Sequence, residues 1–122
     1  MLAVGQIASG PKKMPEDKVV AIIEARMLSS RLPGKHLLTA AGKPMLQHLV
    51  ERLKQVSLIQ EIVIATPNNR ADNILVELAD RLNVGHYQGS EEDVMGRVIE
   101  AGRKYSADII CEVTGDCPII DP

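Results

Sequence analysis

"VVAIIEARMLSSRLPGK", residues 19–35, runs from five apolar residues into a loop that carries Arg26, Arg31 and Lys35. A short aliphatic run closed by turn-forming residues reads as a strand buried on both faces, the kind found inside parallel sheets. The cations that follow repel one another, and Lys43 adds a fourth nearby. Their crowding points to an anionic partner. Ser29, Ser30 and Gly34 allow backbone amides to approach a phosphate, while Arg26, Arg31 and Lys35 supply charge. The segment "SSRLPGKH" departs from a P-loop: Ser29 stands where the first glycine belongs, His36 replaces Ser or Thr, and no helical pattern starts at Lys35. Nor does GxGxxG follow the strand, which weakens a dinucleotide reading. The competing account is a solvated loop whose cations pair with acidic neighbours.

Beyond this stretch the chain alternates helix and strand patterns. Residues 44–56 place Met45, Leu46, Leu49, Val50, Leu53 and Val56 on one helical face, with Pro44 suited to the first turn. "EIVIAT", residues 61–66, is a second buried strand, stopped by Pro67. Residues 71–82 repeat Ile74, Leu78 and Leu82 beside Leu75 and Ala79, an amphipathic helix. A weaker strand follows at 84–87. Residues 90–105 open with Ser90 and Asp93 in a capping-box arrangement and continue as a helix. "DIICEVT", residues 108–114, is the last strand, broken at "GDCP". The order β-α-β-α-β-α-β predicts an α/β fold, a mostly parallel sheet covered on both faces. With strand order 3-2-1-4, the order reverses between the first and fourth strands, and ligands bind beyond the carboxyl ends there. The basic loop and the "TGDCP" loop then share one crevice, with Asp116 facing the cations.

Bulk properties fit one domain, residues 18–122, behind a loose tail at 1–17. The chain has 122 residues, two tyrosines and no Phe or Trp, which disfavours base stacking on nucleic acid. A net charge of −2 gives no broad basic field for DNA or an anionic membrane, so any anion site is local. Cys111 and Cys117 match neither a CxxC redox pair nor a zinc set, and read as reduced thiols of a cytoplasmic protein. No apolar run is long enough to insert into a membrane. His36, His48 and His86 are scattered and read as surface or helix-face residues.

Four segments together, "AIIEARMLSSRLPGKHLLTAAGKPMLQHLVERL", "EIVIAT", "GSEEDVMGR" and "VTGDCPIIDP", resemble the cytidylyltransferase family that makes CMP-activated acidic sugars. The spore coat polysaccharide biosynthesis protein F branch looks nearest. The CMP-3-deoxy-manno-octulosonate synthetases and acylneuraminate cytidylyltransferases share the pattern. The resemblance implies a nucleotide-diphospho-sugar transferase fold (GT-A, Rossmann-like) that binds CTP with Mg2+ and activates a sugar acid in polysaccharide biosynthesis. By the same resemblance, Arg26 and Lys35 are the catalytic cations on the triphosphate. Ser29, Ser30, Arg31 and Gly34 complete the phosphate loop, and Asp116 ligates magnesium. Asp93 and Arg97 match the substrate end; a helix cap and an exposed helix charge are the plainer readings of these two. A structural turn explains Lys43 nearly as well as a phosphate contact does.

The resemblance has departures. Glu24 stands where that family usually has Gln or Pro, Leu28 where it has a small residue, and Glu112 where the spore-coat branch has a basic one. All three make anion binding harder near the expected crevice. Family members run to roughly twice this length, so the match covers their N-terminal half only. That implies a fold truncated on one side, with surface covered by a second copy or a partner chain. A glycosyltransferase using a nucleotide sugar, or a non-catalytic interaction module, are the alternatives on the same fold.

Overall fold

The computed structural model describes the backbone of residues 2–6 and the full residues 17–28 and 32–116. Its centre is a five-stranded sheet. Strands β1 (Leu2–Gln6), β2 (Val19–Glu24), β5 (Glu61–Pro67), β6 (Gly85–Gly89) and β7 (Ile109–Thr114) lie in the order β1-β7-β2-β5-β6. The four strands from β7 to β6 are parallel. Their order is the expected 3-2-1-4. A two-residue hairpin, β3 (Thr39–Ala40) with β4 (Lys43–Pro44), precedes the first helix.

The aliphatic runs form strands because both of their faces are covered. Ala21 and Ile23 of β2, Ile62 and Ile64 of β5, and Cys111 and Val113 of β7 share one face. Over it pack α1 (Met45–Leu53), through Leu46, Leu49, Val50 and Leu53, and α2 (Asn73–Arg81), through Leu75, Leu78 and Ala79. Val20, Ile22, Val63, Ala65 and Ile110 form the other face, against Val98 and Ala101 of α3 (Val94–Lys104). Val20, Ile22, Ile23 and Ile64 are fully buried, each worth roughly 1.5–3 kcal/mol of hydrophobic transfer. The Cys111 thiol is buried in this core, while Cys117 lies outside the described residues.

Three features differ from the sequence-based expectation. Part of the proposed loose tail forms β1, antiparallel to β7 with Leu2 opposite Val113 and Gln6 opposite Ile109. "LAVGQ" has three apolar residues followed by a glycine, so neither a continuous nor an alternating pattern marks it as a strand. The rest of the tail, residues 7–16, lies outside the described residues. Ile74, expected on the apolar face of α2, is 43% exposed. The β6 strand runs to Gly89 and stays half-buried throughout, as an edge strand does.

Candidate functional site

Parallel neighbours end at the same side of a sheet, so the loops after β2 and β7 begin together. Glu24 pairs with Thr114 in register, and the Gly115 N–H donates to the Glu24 carbonyl at 2.9 Å. Gly115 leaves no room for a side chain: a Cβ there would meet His36 Cε1 at 2.8 Å and the Glu24 carbonyl at 3.0 Å. The basic loop closes on itself at Met27, whose carbonyl accepts from the Gly34 N–H at 2.8 Å. Gly34 makes that closure in the left-handed region, φ 73, open to glycine at little cost. Arg26 and Lys35 flank the closure, and this is why residues nine apart in sequence enter one space.

That space is a cavity of about 630 Å³, walled by Glu24, Arg26, Lys35, His36, Arg97 and Asp116, among others. Lys35 Nζ lies 2.8 Å from Asp116 Oδ1. The lysine's hydrogen bond holds the Asp116 carboxyl below its ordinary value. Arg26 is exposed and lines the cavity. The crevice expected from strand order is therefore present, with Arg26, Lys35 and Asp116 on it.

The other expected residues are placed as follows. Ser29, Ser30 and Arg31 lie outside the described residues. Leu28 turns outward, 54% exposed. Asp93 caps α3: its Oδ1 accepts from the Gly96 N–H at 2.9 Å, and its own N–H donates to Ser90 Oγ at 3.0 Å. Its neighbours Glu91, Glu92, Val94 and Arg97 face the cavity; Asp93 is absent from that wall. Lys43 pairs with Glu51 of α1 at 2.8 Å, which favours the structural reading of that lysine.

Two residues depart from what the pattern suggests. Arg97, readable as an exposed helix charge, is 3% exposed. Its Nη1 donates to the Ser90 carbonyl at 2.8 Å, and its Nε is buried without a partner among the described residues. Burial pushes its pKa down, against the favourable field of Glu24. The signal was available, since positions 97 and 101 share the stripe of α3 that packs on the sheet. His36 is also buried, at 4% exposed, against the glycine of the Asp116 loop rather than on the surface. Burial pushes its imidazole below the usual value, so it is neutral at pH 7.

Glu24 forms a pair that sequence spacing does not show. Ile22 pairs with Glu112 across β2 and β7, which puts Glu112 diagonal to Glu24 on the α3 face. Burial, then a hydrogen bond with Glu112, raise Glu24 from 4.5 to about 7. Glu24 therefore keeps its proton well above the ordinary carboxylate range, with Glu112 as its hydrogen-bond partner. Among the described residues no three metal-binding side chains converge. Asp116 is a carboxylate on the cavity wall beside Lys35 and Arg26. It suits a hard divalent ion that takes one or two protein oxygens and draws the rest from phosphates and water, as magnesium does.

Comparison with known proteins gives one family. The family model described as Cytidylyltransferase matches residues 20–122. A 3-deoxy-manno-octulosonate cytidylyltransferase of Trichlorobacter lovleyi is 39% identical over 108 residues, covering 86% of this chain and 41% of that protein. A solved cytidylyltransferase from Leptospira borgpetersenii superposes with TM-score 0.82 at 38% identity, over 87% of this chain and 44% of that one. A CMP:2-keto-3-deoxy-manno-octonic acid synthetase complexed with CTP gives TM-score 0.74 at 37% identity, over 87% and 43%. The chain thus spans about two fifths of the length of the curated relatives it matches. No helix among the described residues is long and apolar enough to cross a membrane.

Proposed function

This chain belongs to the cytidylyltransferase family, and on that premise we propose that its crevice binds CTP with Mg2+ for activation of a sugar acid. One observation carries the reading: Arg26 and Lys35, from the loop after β2, meet Asp116, from the loop after β7, on one open cavity. Arg26 and Lys35 are the groups that hold the triphosphate, joined by Gly34 and by Ser29, Ser30 and Arg31. Arg97, with a buried donor unpaired, is the candidate contact for the substrate end, and Asp93 serves that end by capping the helix that carries it.

The reaction is nucleotidyl transfer. An oxygen of the sugar acid attacks the α-phosphorus of CTP, a new P–O bond forms, and the bond to the β-phosphate breaks. Pyrophosphate leaves, and the hydroxyl proton passes to solvent. Lys35 and Arg26 stabilise charge that grows on the α-phosphoryl oxygens and the leaving group. Asp116 would hold magnesium, which when bound supplies positive charge to phosphate oxygens. A cytoplasmic role in surface polysaccharide assembly, and a second copy or partner chain completing the sugar pocket, belong to the same proposal.

Thermal unfolding with each Mg–nucleoside triphosphate tests the reading. A ligand at 100 Kd adds about 2.7 kcal/mol, so Mg–CTP is expected to raise the midpoint clearly. Equal shifts with all four nucleotides would reduce the site to a general phosphate site, and no shift would end the proposal. A binding-only reading has one observation in its favour, the Glu24 carboxyl group in the wall where a triphosphate must settle. Mg–CTP binding without pyrophosphate release, sugar acid present, would establish it.

A further inference from the structure

Asp72 stands at the N-cap of α2, where an aspartate ordinarily accepts hydrogen bonds from its own helix. Here no side-chain cap bond forms. The carboxyl group turns away from α2, and its Oδ1 accepts from the Met27 N–H at 2.6 Å, 45 residues back along the chain. The residue is fully buried, and its Oδ2 has no partner among the described residues. A buried, half-satisfied carboxyl group is costly to the fold. Its own backbone is fixed in turn, because the Asp72 N–H donates to Asn69 Oδ1 at 3.0 Å.

What the bond holds is the closure of the basic loop. Met27 gives its carbonyl to Gly34, its N–H to Asp72 and its side chain to the edge of the core. Both backbone groups of one residue are thereby tied, one to the far end of the loop and one to α2. Arg26 precedes that residue, and Lys35 follows its partner. Asp72 also bears on two other cavity residues: its field acts on both His36 and Arg97.

We infer that Asp72 is a positioning residue of the nucleotide site, a buried peg that fixes Met27 and so aims Arg26 and Lys35 into the cavity. The inference rests on the nucleotide reading above for its consequence, but not for the peg. Positioning of this kind matters because small displacements of a charged donor forfeit much of its effect. An acceptor at Oδ1 is the feature the peg requires. An asparagine keeps it and an alanine does not.

Three variants of the full chain test this: Asp72→Ala, Asp72→Asn and, as a control in the same helix, Leu78→Ala. Two readouts are taken. One is amide hydrogen exchange at Met27 and Gly34; the other is calorimetric affinity for Mg–CTP and for Mg–tripolyphosphate. Asp72→Ala is expected to speed Met27 exchange and weaken both ligands by about 10–100-fold, as loss of one good buried hydrogen bond does. Asp72→Asn should keep Met27 protected and hold both affinities within about threefold. Leu78→Ala should lower the unfolding midpoint and leave affinity unchanged. Should the alanine variant not fold, Asp72→Ser, whose hydroxyl falls short of Met27, takes its place.

The inference is overturned if Asp72→Ala loses Met27 protection yet binds like wild type. It is equally overturned if Asp72→Asn binds as poorly as alanine with Met27 still protected, or if Leu78→Ala weakens binding as much. If the wild-type chain binds neither ligand, the nucleotide reading fails by itself. Exchange at Met27 and Gly34 then decides whether the peg exists.

Discussion

The middle of β2 and the loop that follows it are built on opposite terms. From Val19 to Ile23 every side chain is buried and aliphatic, in ladders on both sides. Beyond Glu24 the chain meets His36, Asp72 and Arg97, all buried and polar. Among the described residues, the buried polar side-chain atoms without partners, on Thr66, Asp72 and Arg97, belong to the elements around this same carboxyl end of the sheet. Of these only Arg97 lines the cavity, and unsatisfied buried groups gathered at one end of a sheet are what the proposed binding site would call for. Stability and binding should therefore separate by region.

The largest effect breaks the first half of that comparison or upholds it. Ile64→Ala, in the centre of β5 and fully buried, should cost about 2–5 kcal/mol in denaturant unfolding. Mg–CTP affinity of the folded fraction should stay at the wild-type value; a parallel loss would mean that core and cavity do not separate. Lys35→Ala probes the other half. Losing a charge-assisted contact to phosphate should weaken Mg–CTP about 10–100-fold with little change in the unfolding midpoint. The same variant should let the Asp116 carboxyl titrate at a higher pH, because the lysine bond is what holds it down. Carbon-detected NMR of Asp116 reads that shift.

Glu24 belongs to both regions, the last residue of a core strand and part of the cavity wall. Its carboxyl group binds a proton at about 7 in the folded chain against 4.5 as the ordinary value. The folded state therefore holds more protons between these values, and stability falls as pH rises from 4.5 through 7. Burial of His36 works in the opposite direction below its usual titration range, so the wild-type profile alone is a composite. The difference between Glu24→Gln and wild type isolates the carboxyl group. It should be near zero at pH 4.5 and reach on the order of 1 kcal/mol in favour of the variant at pH 8, after discounting for solvent screening. A flat difference across that window would remove the raised Glu24 carboxyl from the account of the crevice.

The central parallel strands were legible because burial on two faces forces continuous aliphatic runs, and their β-branched residues and closing turns set them apart from a buried helix segment. Strand order followed from handedness and connection, and with it the meeting of the loops after β2 and β7. Arg97 was half legible. Its position in a stripe with Ala101 was visible, but an arginine on an apolar stripe is ordinarily taken to reach solvent, and here it turns to the Ser90 carbonyl before the start of α3 and stays buried. Glu24 and Glu112 depend on the register of two strands far apart in sequence, which no local pattern encodes. Asp72 was illegible for a stronger reason. Local capping chemistry predicts a bond to its own helix, and tertiary structure redirects the side chain to Met27.

Lys43 gives the smallest effect and the finest test of the boundary between regions. By sequence it is a fourth cation close to the basic loop, and a phosphate contact there was as reasonable as a turn. In the folded chain its Nζ bonds both Glu51 oxygens, at 2.8 and 3.2 Å, across the start of α1. Exposed pairs of this kind contribute little, since both side chains are solvated and ordering them offsets the attraction. Lys43→Ala should therefore leave the unfolding midpoint unresolved from wild type and change Mg–CTP affinity by less than about twofold. Glu51, whose carboxyl is held low chiefly by the lysine bond, should titrate closer to its ordinary value in the variant. A loss of affinity comparable to that of Lys35→Ala would extend the binding region past the β3–β4 hairpin, and the cavity would no longer mark its edge.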